Sequence, residues 1–136
     1  VDIDWEWPNA CGLSCDTSGP AAFNTLITAV RDEFGADRLV TAATTADGSE
    51  GGNIDKTDYG AAIDKLDWLM PMSYDYFGAW DASGPTAPNS PLASYAGLPK
   101  EGFTTEAAFE KMRAQGIPAE KLLLGIGFYG RGWTGV

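Results

Sequence analysis

This chain contains no histidine and only two cysteines, Cys11 and Cys15. Serine–histidine–aspartate triads and the common zinc sites need these residue types, so their scarcity argues against both kinds of centre. Basic residues are also few, with 9 Lys and Arg against 19 Asp and Glu and a formal charge of -10. This surplus of negative charge repels phosphate backbones and anionic lipid surfaces. We therefore expect no metal, no cofactor, no nucleic-acid partner and no membrane partner.

Long apolar runs are missing as well. None approaches the roughly 18 residues of a membrane span, and no basic segment followed by an apolar one opens the chain. The 136 residues, 44% hydrophobic and 21% charged, have the composition of one soluble domain. The sequence begins at Val1 inside a strand-like segment and finishes at Val136 directly after an apolar one. We therefore expect residues 1–136 to be a single domain that is truncated at both ends.

Strand-like segments alternate with helical periodicity, which predicts a parallel α/β fold. The predicted strands are 1–7, 39–45, 68–74 and 122–128. The predicted helices are 23–34, 59–66 and 104–115. Pro20 and Gly35 mark the ends of the first helix, and Thr104 or Thr105 caps the third. The connection 77–103 is too long for an ordinary loop, so we expect it to bind or cover a ligand.

This order of elements fits two architectures. One is a small doubly wound sheet, and the other is part of an eight-stranded (β/α) barrel, which usually needs about 250 residues. Periodicity does not distinguish them. The segment PNACG (8–12) after the first strand lacks the G-x-G-x-x-G spacing of a dinucleotide-binding turn.

Three acidic residues, Asp2, Asp4 and Glu6, alternate with apolar residues in the first strand and therefore share one face. The other face carries the apolar side chains, including Trp5 and Trp7, which we expect to pack against helices. A solvated row of carboxylates would be an ordinary polar edge. Strands of parallel sheets are usually buried on both faces, however, so we expect the row to point into an interior. Desolvation and like charges there raise the pKa of at least one carboxyl, which suits a general acid.

The segment VDIDWEWP (1–8) resembles the D-x-x-D-x-D-x-E signature of the glycoside hydrolase family 18 chitinases, of which it lacks only the first Asp. MPMSYD (70–75) is similar to the family's M-x-Y-D motif on strand six, and LGIGFYGR (124–131) to its L-G-x-x-F-Y-G-R segment on strand seven. NSPL (89–92) is similar to the family's loop before helix six. The resemblance implies a TIM (β/α)8 barrel, of which this chain would supply about half, from strand four to strand seven.

The resemblance also implies a chitinase that hydrolyses β-1,4-N-acetylglucosamine linkages with retention. Glu6 would protonate the glycosidic oxygen, while the substrate's own 2-acetamido oxygen closes an oxazolinium ring. Asp4 would orient the acetamido group, and Asp2 would share a proton with Asp4. Tyr74 would donate a hydrogen bond to the acetamido oxygen, and Asp75 would bind the same sugar.

Four further residues would bind substrate on the same resemblance. Met72 would line the pocket, and Trp80 would stack on a sugar ring. Tyr129 and Arg131 would lie near the sugar on the non-reducing side, although an ion pair suits Arg131 equally well. In a regular strand Met72 and Tyr74 share a face that Asp75 does not, so we expect a bulge or strand end at Tyr74-Asp75.

A family 18 chitinase would act on chitin or chitooligosaccharides, be secreted, and work as a monomer in its full-length form. In that setting Cys11 and Cys15 would form a short-loop disulfide, with two free thiols as the alternative. A chitinase-like lectin that binds chitooligosaccharides without hydrolysis stays open, although Glu6 speaks against it. So does an endo-β-N-acetylglucosaminidase acting on N-glycans, although the Tyr74-Asp75 pair favours chitin. We expect the chain by itself to be unstable or inactive.

Overall fold

The computed structural model describes residues 1–136, which form three parallel strands, two α-helices and three 3-10 helices. The strands are β1 (Asp2–Asp4), β2 (Thr41–Thr44) and β3 (Trp68–Pro71), and the α-helices are α1 (Ala22–Phe34) and α2 (Thr105–Ala114). The 3-10 helices cover Asn53–Lys56, Gly60–Lys65 and Ala119–Lys121. Neither α-helix has the length and hydrophobicity that crossing a lipid bilayer requires.

The sheet has the order β1-β2-β3, with every neighbouring pair parallel. Ile3 lies opposite Ala42, and Ala42 lies opposite Leu69. Parallel neighbours need long crossover connections, which α1 supplies between β1 and β2 and two 3-10 helices supply between β2 and β3. All three strands therefore end at the same edge of the sheet.

The core lies between the sheet and its crossover helices. Helix α1 buries Phe23 and Ile27, one turn apart, and the Phe23 ring meets Tyr59 edge-on at 5.0 Å between centroids. Helix α2 buries Ala108 and Met112 at the same spacing. Burying a side chain of the size of Ile27 stabilises the fold by roughly 1.5 to 3 kcal/mol. The ends of α1 and α2 agree with the sequence: Gly35 follows α1 with a φ of 75°, and Thr104 caps α2 by accepting a hydrogen bond from the Ala107 N–H.

The strands β1 and β3 are shorter than the predicted 1–7 and 68–74, since they end at Asp4 and Pro71. Two other predicted elements have a different structure. The stretch 59–66 forms a 3-10 helix, Gly60–Lys65, because six residues with a glycine at the start do not sustain regular α-helical turns. The segment 122–128 is not a strand. Only Leu122 pairs with Leu69, and the Leu123 N–H donates to the Leu69 carbonyl at 2.9 Å. Pairing stops there because Pro71 has no N–H to continue the ladder.

The connection from β3 to α2 contains no helix or strand between residues 77 and 103. It is held by its aromatic ends, since the rings of Phe77 and Phe103 lie 5.8 Å apart. A second loop, after β1, carries a disulfide between Cys11 and Cys15. Both loops leave the sheet at the edge where the strands end.

Candidate active site

A cleft of about 300 Å³ opens at the carboxyl ends of the three strands. It is lined by Glu6, Trp7, Thr45, Ala46, Asp47, Asn53, Met72, Tyr74, Asp75, Tyr76, Trp80 and Phe103. Residues that follow β1, β2 and β3 meet here, although more than 60 positions separate the first from the last in sequence. This is the end of a parallel α/β sheet at which ligands bind.

The carboxylates of the first strand do not point into an interior. Asp2, Asp4 and Glu6 are exposed, so the expectation of burial on both faces was wrong. The reason is that β1 is an edge strand with β2 as its only neighbour, and no other part of this chain covers the acidic face. Asp2 is held by a hydrogen bond from the Thr41 hydroxyl to its Oδ1 at 2.7 Å.

Glu6 has the electrostatic setting that a general acid needs. Partial desolvation raises the pKa of its carboxyl, and the negative charge of Asp4 and a hydrogen bond shared with Asp4 raise it further. The carboxyl therefore keeps its proton to a higher pH than an isolated glutamate. Asp4 acts on Glu6 because its negative charge lies close to the Glu6 carboxyl.

The aromatic residues of this segment divide between core and cleft. Trp5 packs against the core, as its position in the alternation predicts. Trp7 lines the cleft beside Glu6, so the prediction that it packs against helices was wrong. The two-residue alternation ends with β1 at Asp4 and no longer governs the direction of Trp7.

The segment after β3 bends as the sequence predicts, although the strand itself already ends at Pro71. The Met72 N–H still donates to the Thr44 carbonyl at 2.9 Å. Asp75 then adopts a left-handed conformation with a φ of 58°. Because the chain turns here, Met72, Tyr74 and Asp75 all line the cleft.

The carboxylate of Asp75 accepts hydrogen bonds from two residues near the end of the chain. The Tyr129 hydroxyl donates to Oδ2 at 2.6 Å, and Arg131 donates to Oδ1 from Nε at 2.9 Å and from Nη2 at 2.6 Å. Neither Tyr129 nor Arg131 lines the cleft itself. The sequence left open whether Arg131 binds substrate or forms an ion pair, and the structure contains an ion pair between Arg131 and Asp75. Partial desolvation and the hydrogen bond to Asp75 raise the pKa of Tyr129 to about 12.

Trp80 lies at the mouth of the cleft with 55% of its surface exposed. Its ring folds back over Gly78, where a Cβ atom would come within 2.2 Å of the indole. The Arg131 guanidinium lies 5.0 Å from the centre of the ring, within the range of a cation–π contact. The exposed indole is thus fixed by Arg131, which also binds Asp75.

Tyr74 stands between the two groups of carboxylates. Partial desolvation raises the pKa of its phenol, and the charges of Asp4, Asp75 and Glu6 add to the effect, so Tyr74 remains a hydrogen-bond donor. Its ring meets Tyr129 edge-on at 6.1 Å. A Cβ atom at Gly125 would lie 2.4 Å from the Pro71 carbonyl oxygen and 3.2 Å from the Tyr74 ring. The glycine is therefore required for this packing, a role that sequence reasoning missed.

Sequence reasoning also missed cleft residues from other loops. Asp47 and Asn53 follow β2, Tyr76 follows Asp75, and Phe103 closes the long connection. Asp47 is fixed by hydrogen bonds from the backbone N–H groups of Ser49 and Asn53. Only their position in the sequence could have indicated Asp47 and Asn53, because residues just after β2 must reach the same sheet edge as Glu6.

The sequence matches the family described as Glycosyl hydrolases family 18 over residues 1–136. The chain belongs to this family. It is 62% identical over 137 residues to a protein named Chitinase 63 from Streptomyces plicatus, covering 100% of this chain and 22% of that protein. The family 18 chain thus spans about a fifth of the length of this relative.

Solved structures share its fold. Chitinase ChiA74 from Bacillus thuringiensis matches with a TM-score of 0.80 at 29% identity, over 98% of this chain and 22% of that one. A group IV chitinase from Ostrinia furnacalis, solved in complex with allosamidin, matches with a TM-score of 0.76 at 29% identity, over 92% of this chain and 34% of that one. The family 18 resemblance and the α/β barrel fold class predicted from the sequence are thereby confirmed, with this chain as a part of the fold.

Proposed function

We propose that residues 1–136 are part of the catalytic domain of a chitinase. In this proposal β1, β2 and β3 are strands four to six of its barrel, and the segment 122–128, which pairs only through Leu122, occupies the place of strand seven. The full-length protein hydrolyses β-1,4-N-acetylglucosamine linkages with retention. The observation that carries this proposal is the meeting of Glu6, Tyr74 and Asp75 in one cleft, with the pKa of Glu6 raised by desolvation and by Asp4. The names of the relatives, chitinases at up to 62% identity, support the substrate class.

The first step breaks the glycosidic bond. The protonated Glu6 carboxyl gives its proton to the glycosidic oxygen as the bond from that oxygen to the anomeric carbon breaks. The acetamido oxygen of the same sugar forms the new bond to the anomeric carbon and closes an oxazolinium ring. Asp4 accepts a hydrogen bond from the acetamido N–H and its charge stabilises the positive ring. Glu6 is left as a carboxylate.

The second step restores the enzyme. Glu6 takes a proton from a water molecule while the water oxygen attacks the anomeric carbon and the oxazolinium ring opens. Two displacements at one carbon give net retention of configuration. Asp2, held by the Thr41 hydroxyl, lies next to Asp4 along β1 and supports it from there.

Residues after β3 bind the reacting sugar. The Tyr74 hydroxyl donates a hydrogen bond to the acetamido oxygen, and its raised pKa supports this donor role. Asp75 hydrogen-bonds the same sugar, with Tyr129 and Arg131 holding its carboxylate and flanking the sugar on the non-reducing side. Met72 lines the pocket, while the exposed face of Trp80 offers a stacking surface to a neighbouring sugar.

The substrate class also bears on where the protein acts. Chitin lies outside cells, so the protein is secreted, and the Cys11–Cys15 disulfide suits an oxidising location. We further propose that the full-length enzyme is a monomer. It needs no cofactor, because carboxylates and the substrate's acetamido group supply all the groups that the two steps use.

Product analysis by mass spectrometry tests the proposal against its two alternatives. The full-length protein is incubated separately with chitotetraose and with an N-glycosylated peptide. Cleavage of chitotetraose alone supports the chitinase, and cleavage within the glycan core would instead establish an endo-β-N-acetylglucosaminidase. Chitotetraose bound in calorimetry but left intact would establish a lectin.

A further inference from the structure

The left-handed conformation of Asp75 needs support from its surroundings. A residue other than glycine rarely adopts a φ of 58°, because the left-handed region is strained relative to the common regions. If Asp75 relaxed to a negative φ, its carboxylate would swing away from Tyr129 and Arg131. Something in the structure must therefore hold the backbone at this point.

Asn89 makes the contacts that do so. Its side-chain Oδ1 accepts a hydrogen bond from the Asp75 N–H at 3.1 Å, and its own backbone carbonyl accepts one from the Tyr76 N–H at 3.1 Å. One residue thus binds two consecutive backbone donors directly at the strained position. The next residue adds a third contact, because the Ser90 hydroxyl donates to the Ser73 carbonyl.

The segment that carries Asn89 is itself anchored. The Thr105 N–H donates to the Pro91 carbonyl at 3.0 Å, and the Glu106 N–H donates to the Leu92 carbonyl at 2.9 Å. These donors belong to the first turn of α2, whose N–H groups have no partners within the helix. The long connection is therefore fixed at one side to α2 and at the other to the bend after β3.

We propose that Asn89 is a positioning residue of the active site, which holds Asp75 in its left-handed conformation so that the carboxylate meets Tyr129 and Arg131. The sequence singles out Asn89 only as part of NSPL (89–92), with no role attached. Asn89 does not line the cleft, so it acts through Asp75 and not on the substrate. The inference rests on the proposed chitinase function for its kinetic readout alone.

A double-mutant cycle in the full-length protein tests the role. Asn89→Ala is expected to lower kcat for chitotetraose about tenfold, with a smaller change in KM, because the reacting sugar loses a correctly placed Asp75. In an Asp75→Ala background the same substitution is expected to lower kcat less than about twofold. Asn24→Ala on α1 is the matched control and should leave both backgrounds unchanged. Equal losses in both backgrounds would overturn the proposal, because Asn89 would then act independently of Asp75.

A titration gives a readout that does not need hydrolysis. Partial desolvation and, after it, the hydrogen bond to Asp75 raise the pKa of Tyr129 to about 12. NMR of tyrosine-labelled protein should show a lower pKa for Tyr129 in Asn89→Ala and an unchanged one in Asn24→Ala. An unchanged Tyr129 pKa in Asn89→Ala would overturn the positioning role even if the protein proves to be a lectin. A protein with no turnover but a lowered Tyr129 pKa would contradict the proposed function and leave the role of Asn89 supported.

Discussion

The ends of β1 and β3 carry acidic residues in opposite environments. Glu6, after β1, is exposed, and its pKa is set by partial desolvation and by its neighbour Asp4. Asp75, after β3, is held by Tyr129 and Arg131 through three hydrogen bonds. The Glu6 carboxyl has no such long-range partners, whereas the Asp75 carboxylate is held in place by two side chains. In the proposed function the first would act as the acid and the second would position the sugar.

The two environments differ because the neighbour that acts on Glu6 is close in sequence, whereas the partners of Asp75 are distant in sequence. Partial desolvation raises the pKa of Glu6 most, and Asp4, only two positions away in sequence, raises it further. Asp75 acquires its partners from residues 54 and 56 positions away. A substitution near Glu6 should therefore change proton transfer, while one near Asp75 should change geometry.

The largest effect is expected from Glu6→Gln, which removes the proton that the leaving group needs. General acid–base catalysis contributes roughly 10²- to 10⁴-fold, so kcat should fall by that order while binding of chitotetraose remains. Steady-state kinetics and calorimetry on the full-length protein measure the two quantities. Glu33→Gln on the exposed side of α1 is the matched control. A fall of less than tenfold would remove Glu6 from the role of acid.

Asp75→Ala should have the second largest effect, a loss of roughly 10- to 160-fold in kcat/KM. Hydrogen bonds to a charged group are worth about 1.5 to 3 kcal/mol, which corresponds to that range. The same variant should lower the pKa of Tyr129 from about 12, because the hydrogen bond and the negative charge that hold its proton are gone. Asp64→Ala, at an exposed position, serves as control. An unchanged Tyr129 titration would show that the contact seen here does not form in solution.

Asp4→Asn should move the pH profile. Glu6 must be protonated to act as an acid, so kcat/KM falls as the pH rises through its pKa. Asp4 raises that pKa, and its neutralisation should therefore move the alkaline limb of the profile to lower pH, besides lowering the rate. Asp64→Asn should leave the limb in place. A limb that stays fixed or moves to higher pH in Asp4→Asn would contradict the coupling.

The smallest effect is expected from Trp80→Ala. The indole is half exposed at the mouth of the cleft and would stack on a sugar away from the reacting bond, so KM for chitotetraose should rise a few-fold with little change in kcat. Trp80→Phe keeps an aromatic face and should recover most of the loss. If alanine and phenylalanine raise KM equally, stacking at Trp80 is not part of binding.

Much of the fold could be predicted because its determinants are local. The spacing of Phe23 and Ile27 defines α1, and the alternation through Asp4 defines β1. The predicted strand 122–128 failed because its pairing depends on Pro71, which lies on another segment and lacks a donor. Burial of the acidic row failed because it depends on what covers β1, which no local pattern contains.

The site shows the same division. Glu6, Tyr74 and Asp75 could be proposed from motifs, and they do meet in the cleft. The direction of Trp7 depends on where β1 stops, and the role of Asn89 depends on a loop that returns to the bend after β3. These features arise from tertiary contacts, so periodicity and spacing do not reveal them.

The most direct measurement of the central claim is proton NMR of the anomeric signals during early hydrolysis of chitotetraose by the full-length protein. Glu6→Gln is followed under the same conditions. The β-anomer is expected to form first, and the variant is expected to form no product on the same timescale. Initial formation of the α-anomer, or undiminished hydrolysis by Glu6→Gln, would contradict a retaining mechanism with Glu6 as its acid.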